Sequence, residues 1–89
     1  MLATFSCLIY SFGIGEDWSF EDLMDKLGCT VFAFDPTVDY PPNRGNRIAF
    51  NKLGIAGGIT NNYNFKTESL KNILKMNNHT NSTVNYLKV

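Results

Sequence analysis

Apolar positions along the chain fall into short runs separated by glycine, proline and asparagine. Residues 5–12 (FSCLIYSF) are apolar or β-prone and stop at Gly13, the pattern of a buried strand. Ser19-Phe20-Glu21-Asp22 then predicts a helix start, with Ser19 as cap, Asp22 reaching back to it, and carboxylates in the first turn. Trp18 and Leu23 are spaced for a hydrophobic staple across that start. Phe20, Leu23, Met24 and Leu27 follow the i, i+3, i+4, i+7 spacing of an inward helix face. Gly28 is placed to end the helix in a left-handed conformation.

Residues 30–34 read as a second strand, closed by Asp35-Pro36. DYPPNRGNR (39–47) has no helical period and reads as a loop. A third strand is expected within 47–53 (RIAFNKL), and 54–64 reads as irregular, with room for a strand pair. Thr67 is placed to cap a second helix over 68–76, with Leu70, Ile73 and Leu74 inward. Residues 77–83 (NNHTNST) form a polar loop, and 84–89 (VNYLKV) a fourth strand. Strands alternating with helices predict an α/β layer, a mostly parallel sheet of about four strands with two helices.

Composition narrows this picture. The chain of 89 residues has room for one small domain, and its 44% apolar and 18% charged residues are those of a core-forming chain. Eight basic and eight acidic side chains cancel, and no basic stripe supports nucleic-acid binding. No apolar stretch is long enough to span a membrane. The start lacks a basic segment and runs straight into the first strand, which argues against a signal peptide unless Met1 is an internal start. Cys7 and Cys29 are too few for a disulfide framework and lack metal spacing. Both stand near strand starts and could meet at one end of a parallel sheet. Buried free thiols are the default expectation, and a disulfide is the alternative.

The chemistry concentrates in Gly13-Ile14-Gly15, where a strand turns into a helix. Glycine permits the tight turn there and lets a ligand come close to the backbone. Asp35 follows Gly15 by 20 residues, at the end of the next strand. Parallel pairing would bring its carboxylate beside the loop, where the hydroxyls of an adenosine ribose are natural partners. Such a charged hydrogen bond contributes roughly 1.5–3 kcal/mol. The Gly-x-Gly-x-x-Gly fingerprint is incomplete, since Trp18 stands at its third glycine. A plain turn with Asp35 as a loop cap is the competing reading.

CLIYSFGIGEDWSFEDLMDKLGCTVFAFDPT (7–37) closely resembles the start of animal methyltransferase-like proteins, a branch related to FkbM-type methyltransferases that use S-adenosyl-L-methionine. The resemblance continues through RIAFNKLGIAG and VNYLKV; YSFGIG, WSFE, GC-x-VFAFDPT and YLKV carry most of it. It implies an incomplete Rossmann-like methyltransferase fold, with residues 1–89 as the cofactor-binding half. Gly13 and Gly15 would form the cofactor loop, and Asp35 would bind the ribose. Ser11 stands where many methyltransferases carry an acidic residue near the methionine amine, and Asp17 takes the place of a third loop glycine. The family's strand like YLKV runs on into acidic residues, whereas this sequence ends at Val89. The expectation is a methyltransferase-like protein that is inactive alone, with methyl transfer depending on chain beyond Val89. The methyl acceptor and any catalytic residue stay unassigned. The other reading is a non-catalytic module that binds a partner, or a second copy, through an open edge strand. Two helices also look too few to cover both faces of a parallel sheet, which predicts marginal stability.

The remaining candidates have bland readings. Asn78-His79-Thr80 and Asn81-Ser82-Thr83 match the glycosylation acceptor pattern, which matters only if the protein enters the secretory pathway. Otherwise the chain reads as soluble as given. His79 is expected to be solvated, and no ligand set for a metal is visible. Glu16, Asp17, Glu21 and Asp22 are expected to serve the helix start. Trp18 and Phe20 are expected in the core rather than stacked on adenine. Arg44 and Arg47 are read as solvated near the Asp35 loop, with phosphate binding as the minor alternative. Cys7 has no neighbouring base to make it a nucleophile.

Overall fold

The computed structural model describes residues 7–56 and 67–89. Its elements are β1 (Leu8–Phe12), α1 (Ser19–Lys26), β2 (Thr30–Phe34), β3 (Asn43–Arg44), β4 (Ile48–Asn51), β5 (Gly54–Ala56), β6 (Thr67–Ser69), α2 (Leu70–Met76) and β7 (Tyr86–Lys88). Residues 5–6 of the expected first strand and 57–64 of the irregular segment lie outside the described residues.

Period-two alternation sorts the strand side chains onto two faces. Ile9, Val31, Ala33, Ile48 and Phe50 point to one face, where Trp18 joins them and Phe20 and Met24 of α1 pack. Tyr10, Phe12 and Phe34 point to the other, against Ile73 of α2, with Leu70 and Leu74 beside it. Each face therefore has its own helix and apolar cluster. The expectation of an uncovered sheet is corrected, because one helix on each side suffices over the two central strands.

Among the described residues the main sheet has five strands in the order β3-β4-β2-β1-β7. β1 pairs in parallel with both β2 and β7, and β4 in parallel with β2; only the two-residue β3 is antiparallel. β5 and β6 form a separate parallel pair, and β6 lies beyond the 54–64 segment in which a strand pair had room. Successive strands build outward from β1 through β2 to β4, and the chain then crosses back to place β7 on the opposite side of β1. That reversal leaves a crevice at the carboxyl ends of β1 and β7, the place where open parallel sheets bind ligands.

Several local expectations are corrected. Cys7 and Cys29 are joined by a disulfide, because the register that pairs Leu8 with Thr30 sets them opposite each other with Cα atoms 4.6 Å apart. Ser19 lies inside α1 and does not cap it; Trp18 is the cap residue, and Asp17 accepts the Ser19 N–H at 2.9 Å. Asp22 does not reach back to the helix start but pairs with Arg44. Leu23 and Leu27 are 52% and 60% exposed, so Leu23 makes no staple and the inward face is rotated toward Trp18 and Glu21. Gly28 does close the helix, at φ 91°. Thr67 belongs to β6, and α2 starts at Leu70 with Ser69 as cap, its hydroxyl accepting the Asn72 N–H.

Candidate functional site

The turn from β1 into α1 is held from three sides. Gly13 donates its N–H to the Phe34 carbonyl at 2.9 Å, which ties the end of β1 to β2. Gly15 donates its N–H to Asp35 Oδ2 at 2.7 Å, and the Tyr40 hydroxyl donates to the Gly15 carbonyl at 2.7 Å. Gly13 and Gly15 have φ of 85° and 59°, in the region that favours glycine. A Cβ added at either would meet nothing within 4 Å, so both open onto free space and owe their identity to backbone conformation.

Parallel pairing brings Asp35 to the glycine loop as its spacing implied. Its other oxygen accepts the Thr37 N–H at 2.8 Å and hydroxyl at 2.6 Å. Burial by itself would raise this carboxyl, but the hydrogen bonds from Thr37 and Gly15 outweigh it and hold the group below the usual carboxylate range. Asp35 is thus the clamp of the loop. Both oxygens are engaged by Gly15 and Thr37, and the Ile14 backbone N–H adds to them.

Ser11 lies on β1 facing α1 and is fully buried. Its hydroxyl donates to Glu21 Oε2 at 2.5 Å. Lys88, the register partner of Ser11 on β7, donates to the same oxygen at 3.1 Å. Glu21 has no exposed surface, and its Oε1 makes no hydrogen bond among the described residues. A carboxylate taken out of water is costly unless paired, so Ser11 and Lys88 are what make Glu21 tolerable. The expectation that Glu21 merely serves the helix start is corrected. The signal was present: position 21 lies on the face of α1 set by Trp18, and a charged residue there asks for a partner. Lys88 gave no such signal, since its neighbour across the sheet is 77 positions away.

Other candidates are dispersed. Arg44 bonds Asp22 through Nε and Nη2 at 2.8 and 2.9 Å and stacks 4.6 Å over the Trp18 ring, so it is paired and only partly solvated. Asp22 is held below the usual carboxylate range by that guanidinium. Trp18 is in the core, as expected, with Tyr40 and Phe50 edge-on to it. Arg47 precedes β4 at the opposite end of the sheet. His79 is not solvated; its Nδ1 shares a 2.6 Å hydrogen bond with the buried Tyr10 hydroxyl, and its ring lies edge-on to Phe32. Burial raises the Tyr10 hydroxyl pKa, with the Asn77 hydrogen bond opposing.

Two concavities flank the sheet. The larger, about 720 Å³, lies at its amino edge between Cys7, Thr30, His79 and Asn85. The smaller, about 340 Å³, opens at the carboxyl edge beside Phe12, Gly13, Phe34 and Pro36, with Gly54, Ile55, Thr67 and Val89 around it. Size favours the first, but topology and the glycine loop favour the second, and strand direction is the better guide to a ligand in such sheets. Among the described residues no cluster of His, Cys, Asp and Glu is arranged to hold a metal, and no helix is long and apolar enough to cross a membrane.

A family model described as a methyltransferase domain matches residues 2–89. The chain belongs to that methyltransferase family. No curated protein and no solved structure matches it. The mixed α/β architecture with its mostly parallel sheet is compatible with a methyltransferase fold.

Proposed function

We propose that this methyltransferase domain binds S-adenosyl-L-methionine at the carboxyl edge of β1 and that its fold is Rossmann-like and related to the FkbM type. The observation that carries the reading is the chain reversal at β1, which leaves the Gly13–Gly15 loop and its clamp Asp35 at the carboxyl end of the strand, with the Ser11–Glu21–Lys88 group joining β1, α1 and β7 behind it. Setting the short β3 aside, the order β4-β2-β1-β7 follows the 3-2-1-4 beginning of doubly wound sheets.

The residues present fit the cofactor. Space above Gly13 and Gly15 admits a ligand against the backbone. Asp35 stands beside that space and is the acceptor nearest to hand for a ribose hydroxyl. Lys88 is partly exposed and is the cation available for the carboxylate of the methionine end. Ser11 and Glu21 act through Lys88 as positioning residues, since Glu21 is buried and holds the ammonium group. When bound, the cofactor supplies an electrophilic methyl group; the chain's own residues bind and orient it. The residues assigned here all serve the cofactor, and none of them is a base for an acceptor. We therefore propose that residues 1–89 bind the cofactor without turning it over alone.

Calorimetric titration of the folded chain with S-adenosylhomocysteine tests this. Saturable binding is expected, and a folded chain that releases no heat overturns the reading. Asp35→Ala is expected to weaken S-adenosylhomocysteine and adenosine alike. Lys88→Met is expected to weaken S-adenosylhomocysteine while leaving adenosine unchanged, which separates the two ends of the ligand from a general loss of fold.

A second reading is favoured by the outer edge at β7. Tyr86, Leu87 and Val89 are exposed there, and among the described residues β7 pairs on one side only. An open parallel edge with apolar side chains suits strand addition by a second copy of the chain. Sedimentation over a range of concentrations should then show association that Tyr86→Lys removes. A monomer at every concentration rejects it.

A further inference from the structure

Two features at the amino edge of the sheet are not used by the proposed cofactor site. The first is the Cys7–Cys29 disulfide, which staples the entry of β1 to that of β2. The second is the loop between α2 and β7, which holds both Asn-x-Thr triplets, Asn78-His79-Thr80 and Asn81-Ser82-Thr83. They are physically independent. The disulfide depends on strand register between positions 22 apart, and the triplets depend on local sequence.

Both features require the same surroundings. A disulfide forms and persists in an oxidising compartment and is kept reduced in the cytosol. A glycan on an Asn-x-Thr acceptor is added in the secretory pathway and, being bulky and hydrophilic, must stand on the surface. The loop meets that demand. Asn78 and Thr80 are exposed, whereas His79 between them turns inward to Tyr10 and Phe32. The inward histidine anchors the triplet and leaves its two acceptor residues facing solvent. Asn78 adopts φ 65° directly after α2, a conformation asparagine tolerates and one that turns the chain outward from the helix. Asn81 and Thr83 are exposed as well.

Position also fits. The loop joins the amino edge, where Asn85 donates its N–H to the Leu8 carbonyl and accepts the Leu8 N–H. Gly13 and Gly15 follow the carboxyl end of β1, so a glycan on this loop stands at the far end of the sheet from the crevice. Its bulk would cover the concavity beside the disulfide and leave the cofactor end free.

We propose that the protein folds in the oxidising lumen of the secretory pathway and carries an N-linked glycan on the 78–83 loop, at Asn78, Asn81 or both. The proposal goes beyond the methyltransferase reading and does not depend on it. Tryptic cleavage after Lys75 and Lys88 releases both triplets in one peptide, residues 76–88. The test takes protein from its natural source, blocks free thiols at once, and treats the digest with a peptide N-glycosidase in water enriched in heavy oxygen. The expected result is a 76–88 peptide with heavy oxygen incorporated at Asn78 or Asn81, and Cys7 and Cys29 recovered as one cross-linked pair. A 76–88 peptide found only with unlabelled asparagines overturns the glycan, whatever the state of the cysteines. Blocked, reduced cysteines overturn the assignment to the lumen. Neither result bears on S-adenosylhomocysteine binding, so failure here and failure of the cofactor reading are distinguishable.

Discussion

The two ends of the central sheet are built by different means. At the amino edge β1 and β2 are joined covalently through Cys7 and Cys29, and an aromatic group of Tyr10, Phe32 and His79 closes beside them. At the carboxyl edge the same two strands are tied by hydrogen bonds, through Gly13 to Phe34 and through Gly15 to Asp35. The first end fixes strand register at little risk to function. The second keeps positive-φ backbone and polar side chains around open space, which a ligand site needs and a stable core does not. One end is held covalently, and the other leaves backbone free beside the proposed cofactor.

The largest effect is expected from breaking the covalent end. Cys7→Ser with Cys29→Ser, or reduction, should lower stability by roughly 3 kcal/mol, the entropy of closing a loop of this length. Urea unfolding measures it, and S-adenosylhomocysteine affinity at low urea should barely change. If affinity falls as far as stability, the two ends are not separate. Lys88→Met comes next, because it leaves the buried Glu21 with Ser11 alone. A loss of about 2 kcal/mol is expected, below the cost of breaking a fully buried pair because Lys88 is partly exposed. Restoration by Glu21→Gln in the same chain would sharpen the point, since the uncompensated charge is then gone.

Gly13→Ala is expected to cost about 1–2 kcal/mol, from the left-handed backbone alone, since a Cβ there touches nothing. Thermal unfolding checks it, and a change well beyond that range would mean the loop is packed more tightly than its geometry shows. The smallest effect concerns acid. Asp35 has its pKa lowered in the fold, so its contribution is fully present above the unfolded carboxylate value, about 3.9, and fades as pH falls through the lower folded value. Asp22 behaves likewise through Arg44. Denaturation midpoints should therefore drop between pH 5 and pH 2, and Asp35→Asn should make that drop shallower. An unchanged slope would count against Asp35 as the clamp.

Much of the frame was legible because strand alternation is a local property. Ile9 and Val31 face one side and Tyr10 and Phe34 the other, as period two requires. Gly28 ended α1, and Asp35 reached the glycine loop, since both follow from spacing and parallel pairing. The inward face of α1 was legible only in part: Phe20 and Met24 pack on the sheet, and Leu23 and Leu27 do not. Leu23 and Leu27 fit the apolar period, yet an eight-residue helix can turn either of two neighbouring stripes inward. Trp18 and the Ser11–Glu21–Lys88 group decided which. His79 looked solvated because its neighbours in sequence are polar, while its neighbours in space are Tyr10 and Phe32.

The sequence by itself determined the α/β alternation, the glycine turn after β1, the acidic residue opposite it, and the resemblance to methyltransferases. All of these depend on residue type at short range or at a single strand-to-strand spacing. Tertiary structure alone decided that Cys7 meets Cys29, that β7 returns beside β1, and that Glu21 is buried against Ser11 and Lys88. These pairings join distant positions, and their energy is set by register and by exclusion of water, which no single stretch of sequence carries.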